Sequence, residues 1–60
     1  DMTELDRFAG SIIDSGSIIE SYKATDNEKN PIYAFEVKFE NTTLLLIFDE
    51  YNHCLGIIRK

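Results

Sequence analysis

From residue 32 to 40 the chain alternates without a break. Tyr33, Phe35, Val37 and Phe39 fall on one side, and Ala34, Glu36, Lys38 and Glu40 on the other. A period of two is the mark of a strand with one buried and one wetter face. Then comes Thr43-Leu44-Leu45-Leu46-Ile47-Phe48, apolar after its first residue and bounded by Asn41-Thr42 and Asp49-Glu50. That run is too short for a membrane span, which takes about twenty apolar residues. Its flanking turn signals fit a strand buried on both faces. The two segments predict an antiparallel hairpin with Asn41-Thr42 as its turn, Asn being tolerant of positive φ. Glu40 then faces Thr43, Phe39 faces Leu44, Val37 faces Leu46 and Phe35 faces Phe48. A slip of one residue would put these partners on opposite faces.

A second reversal at residues 50–53, with Tyr51-Asn52 as the turn pair, leads to a last strand over residues 54–59. It sets Phe48 opposite Leu55 and Leu46 opposite Ile57. At the other end of the chain, Leu5, Phe8, Ala9, Ile12 and Ile13 form a stripe at helical spacing over residues 3–14. Thr3 is the expected N-cap, with Asp6 completing a shortened capping box. Gly10 would cost about 1 kcal/mol in a helix and is expected there to let the helix approach the sheet. Gly16 is expected to end the helix in a left-handed conformation. Ile18, Ile19 and Tyr22 either extend that helix or open a strand, and a β-branched pair after a glycine favours a strand over residues 17–25. Residues 26–31 read as a polar loop.

The expected fold is therefore α+β: one N-terminal helix packed on a three- or four-stranded antiparallel meander sheet, in a single domain over residues 1–60. Asp1, ahead of Met2, reads as an expression remnant. With the helix stripe on the face of Val37, Leu46 and Ile57, the other face carries Leu45, Ile47 and Ile58, with Ala34, Cys54 and Gly56 beside them and Glu36 and Lys38 at the rim. Uncovered apolar patches rimmed by charge mark interfaces. Leu45, Ile47, Ile58 and Ala34 are thus the candidate contact residues of a two-fold homodimer.

Function is constrained mainly by what is missing. A single cysteine, Cys54, excludes an intrachain disulfide. His53 and Cys54 are the only soft metal ligands, too few for a structural zinc, and neighbours in an extended segment point to opposite faces, so they make a poor catalytic dyad. The three glycines are isolated, so no phosphate loop is expected. No cofactor, metal or catalytic residue is assigned. Eleven acidic residues against six basic ones give a net charge of −5, which disfavours nucleic acid and anionic membranes and suits a basic protein partner. No basic region precedes an apolar core near the start, so a cytoplasmic location is expected. Asp26, Glu28, Glu36, Glu40, Asp49 and Glu50, near strand ends and loops, are the candidate acidic face. The expectation is a small acidic binding module of the inhibitor, antitoxin or viral counter-defence kind, with a structural or regulatory homo-oligomer as the alternative.

Overall fold

The computed structural model describes residues 2–60; Asp1, with its reading as a remnant, lies outside them. A helix α1 (Met2–Ser15) is followed by four strands, β1 (Ser17–Thr25), β2 (Pro31–Phe39), β3 (Thr42–Phe48) and β4 (Cys54–Arg59). All pair antiparallel in the order β1-β2-β3-β4, a plain meander with α1 on one face. The α+β expectation holds with four strands, and residues 17–25 are strand.

The core lies between α1 and the sheet. Ala9, Ile12, Val37, Leu46 and Cys54 are buried, and Leu5, Ile13, Phe35, Phe39, Leu44, Phe48 and Ile57 pack around them. Four of the five expected stripe residues face this core, but Phe8 does not: it is 62% exposed. Successive residues turn by about 100° around a helix. Phe8 therefore lies about 60° to one side of Leu5 and Asp6 about 100° to the other. Asp6 Oδ1 accepts the Cys54 N–H at 2.5 Å, and that bond rolls α1 onto its Asp6 flank and turns Phe8 outward. The helix begins at Met2, ahead of the expected Thr3 start, and the Asp6 carboxylate reaches across to β4.

The two glycine expectations are both corrected. A Cβ at Gly10 would meet nothing within 4 Å, so no close approach requires that glycine. Gly16 has a negative φ and is not a left-handed cap. A Cβ there would lie 2.7 Å from the Lys38 carbonyl oxygen and 2.7 Å from Val37 Cγ1. Close approach to the sheet is thus the role of Gly16, where the chain passes from helix to strand in one residue.

The first hairpin keeps the expected faces with a shifted register, and the second departs from them at its loop end. In the first, Phe39 pairs with Thr42, Val37 with Leu44 and Phe35 with Leu46. The turn is therefore Glu40-Asn41, and Glu40 takes the positive φ of 57° that was expected of Asn41. The shift is two residues, so every side chain stays on its expected face. Phe35 and Phe48 still meet edge to face, with ring centroids 5.8 Å apart. In the second hairpin Leu46 pairs with Ile57 as expected, but an irregularity after Ile47 sets Phe48 opposite Cys54 instead of Leu55. An extra residue of this kind reverses the facing of what precedes it. Cys54 accordingly enters the core instead of joining the open face, and Leu55 is left half exposed.

Candidate functional site

The two loops at one end of the sheet, 26–30 and 49–53, have the same backbone. Each opens on an aspartate whose own N–H donates to the carbonyl of the fifth residue: Asp26 to Asn30 at 2.9 Å and Asp49 to His53 at 2.9 Å. Each aspartate carbonyl accepts from the fourth residue, Lys29 at 3.0 Å and Asn52 at 3.2 Å. Those fourth residues take positive φ, 68° and 66°. Both aspartates direct Oδ1 inward to accept two backbone amides, from Glu28 and Asn30 in one loop and from Tyr51 and His53 in the other. Asp side chains favour this local bonding, which lets them shape turns. The amides of Asn30 and Glu28 hold the Asp26 carboxyl below the usual carboxylate range.

Between the twin loops is a hollow of about 350 Å³ lined by Asp26, Asn30, Pro31, Ile32, Asp49, Glu50, Tyr51 and Leu55. Its wall is part apolar, from Pro31, Ile32 and Leu55, and part acidic. Tyr51 stands 73% exposed at its edge. Across both loops, Asp26, Glu28, Asp49 and Glu50 are set against Lys29 alone among the permanently charged groups. This end therefore carries three of the chain's five net negative charges. Of the six residues expected to form the acidic face, these four meet here. Glu40 lies in the β2–β3 turn at the opposite end, and Glu36 lies within β2.

Glu36 has a separate environment on the open face. Its side chain is only 14% exposed, and Oε2 lies 2.9 Å from Lys60 Nζ. The Tyr22 hydroxyl donates to the same oxygen. Tyr22 and then Lys60 lower the Glu36 pKa, and the Tyr22 phenol is pushed up to about 12. Glu20 stands directly across from Glu36 in the strand pairing, so Lys60 and Tyr22 offset a like-charge contact. Around this cluster lie the expected contact residues: Leu45, Ile47 and Ala34 are partly buried, and Ile58 is half exposed. Helix α1 packs on the opposite face.

Where α1 meets β4, His53 Nδ1 lies 3.1 Å from Asp6 Oδ2. The hydrogen bond to Asp6 raises the His53 pKa; the Cys54 amide and then His53 lower that of Asp6. The Cys54 thiol is buried, donates to the Gly56 carbonyl at 3.5 Å, and is pushed up by that burial. Asp6 was not among the expected site residues. The only hint of its role is that it sits off the apolar stripe in a helix that has to be oriented. Among the described residues no cluster of three or more His, Cys, Asp or Glu is placed to hold a metal ion, and no helix is long and apolar enough to cross a membrane. Comparison with protein-family models, curated proteins and solved structures finds no match.

Proposed function

We propose that this protein is a non-catalytic binding module that blocks a basic protein partner with the acidic end of its sheet, in the manner of a small inhibitor or antitoxin. The observation that carries the reading is the meeting, around one hollow, of an acidic rim, an exposed tyrosine and an apolar wall. An arginine or lysine needs all three. Its charge pairs with carboxylates, its aliphatic stem lies on Leu55, Pro31 and Ile32, and its cationic head can stack over the Tyr51 ring. Concentrating the negative charge at one end also steers a basic surface toward that end during encounter, an effect that salt screens.

A labelled sample titrated with an arginine- and lysine-rich peptide at low salt tests it. Amide shifts are expected across residues 26–32 and 49–55, weaker at high salt and weaker again in Glu50→Lys. Equal binding of a glutamate-rich peptide, or shifts centred elsewhere, would refute the proposal. A second reading, a structural or regulatory homo-oligomer joined through Leu45, Ile47, Ile58 and Ala34, is favoured by one observation: α1 lies on the far face, and Ile58 is left half exposed.

A further inference from the structure

The two edges of the sheet are treated differently. β4 is six residues long, its first N–H is taken by Asp6 from α1, and it ends at Arg59, with Lys60 following. β1 is nine residues long, and all nine are exposed, Ile19 at 56%. It lacks proline and has one irregularity, at Ile19. Long free edges are templates for another strand, and proteins usually blunt them with charge, proline or a cover.

We propose that β1 pairs antiparallel with β1 of a second copy of this chain, joining two four-stranded sheets into one of eight strands. This surface is distinct from both the acidic end and the open face. Three features favour a second copy as the occupant. First, β1 carries one Glu and one Lys and so has no net charge, in a chain that carries −5. Self-repulsion is therefore weakest along this edge. Second, a two-fold axis normal to the sheet makes facing residues share a face, which limits the possible centres. Centring on Glu20 or on Lys23 would oppose like charges, a destabilising arrangement. Centring on Ser21, the middle residue of β1, pairs residues 19–23 of the two copies, Ser17 and Ile18 lying beyond the irregularity that reverses their facing. It sets Glu20 opposite Tyr22 of the second copy and Ile19 opposite the aliphatic stem of Lys23. Third, antiparallel pairing lays the acidic loop after Thr25 of each copy beside the other copy's Ser17 end. Lys38 pairs with Ser17 there, so a lysine stands beside the position that each acidic loop approaches.

Sedimentation equilibrium of the purified chain and of three variants tests this. The wild type is expected to dimerise. Ile19→Lys places a lysine against Lys23 of the second copy twice per dimer, and should weaken association by roughly tenfold or more. Adding Lys23→Glu to Ile19→Lys makes those pairs opposite in charge and should restore the dimer. Hydrogen exchange on the unmodified chain should show β1 amides becoming better protected as concentration rises. A wild type that stays monomeric at high concentration overturns the proposal. So does a dimer that survives Ile19→Lys, or one that Ile58→Lys dissociates while Ile19→Lys leaves it intact.

Discussion

Replacing Gly10 and Gly16 by alanine should move stability in opposite directions, even though both changes add one methyl group. Gly10 lies within α1, and a Cβ there meets nothing within 4 Å. Only helix propensity is at stake, and Ala is better by about 0.8–1.0 kcal/mol. For a domain of this size each kcal/mol moves the midpoint of thermal unfolding by roughly 4–8 °C, so Gly10→Ala should melt several degrees higher. At Gly16 the added Cβ would lie 2.7 Å from the Lys38 oxygen and 2.9 Å from the Ile12 oxygen, and backbone atoms cannot swing aside. Overpacking of this kind costs roughly 1–3 kcal/mol. Restricting the unfolded chain returns about 0.4–1 kcal/mol, so the clash wins and Gly16→Ala should melt lower. The two sites are six residues apart, about 9 Å along a helix, so the double variant should show close to the sum of the two shifts. Melting followed by far-UV circular dichroism reads all three. A Gly16→Ala protein as stable as the wild type would mean that α1 and β2 are not in the close contact described, and the reasoning would fail.

Two further outcomes follow from the charge pairs. The Asp6–His53 contact joins a carboxylate whose pKa is lowered to an imidazole whose pKa is raised. The carboxylate contributes stability above its ordinary range, lost as pH falls through its lowered value. The imidazole contributes below its ordinary value, lost as pH rises through its raised one. The link is therefore strongest in mildly acidic solution. Urea midpoints measured against pH should fall on both sides of that window, and Asp6→Asn should flatten the profile; an unchanged profile would refute the link. Glu20→Lys converts a like-charge cross-strand contact with Glu36 into an attractive one and should stabilise the protein by roughly 0.2–1 kcal/mol. The gain in urea midpoint should shrink with added salt, and a loss would show that Lys60 and Tyr22 already saturate Glu36.

Much of the fold was legible because burial alternates with a fixed period. The faces of β2 and β3, the helical stripe and the antiparallel order all follow from where apolar residues recur. The failures occur where that signal is silent. Moving the first turn from Asn41-Thr42 to Glu40-Asn41 shifts the register by two residues. Phe39, Val37 and Phe35 then meet different partners on the same face, so the apolar pattern fits both registers. Cys54 enters the core and not the open face because one extra residue in β4 inverts the alternation, and a small thiol gives little sign of which face it prefers. Phe8 belongs to the stripe by spacing but lies outside the core, since the Asp6 bond that rolls the helix spans 48 positions of sequence. The likeness of the two loops was present in the sequence, as an aspartate followed four residues later by Asn30 or His53.

That likeness bears on how the acidic end can change over evolutionary time. In each loop the conformation is fixed by the aspartate, by the fourth residue at positive φ, and by the backbone of the fifth. Of the second and third residues, Asn27 and Glu28 in one loop and Glu50 and Tyr51 in the other, the third lend their amides to that frame, and all four side chains are exposed. Those four side chains can be exchanged without altering the loop that displays them. The sheet end then behaves as a display scaffold: its exposed chemistry can change at four positions with no new fold.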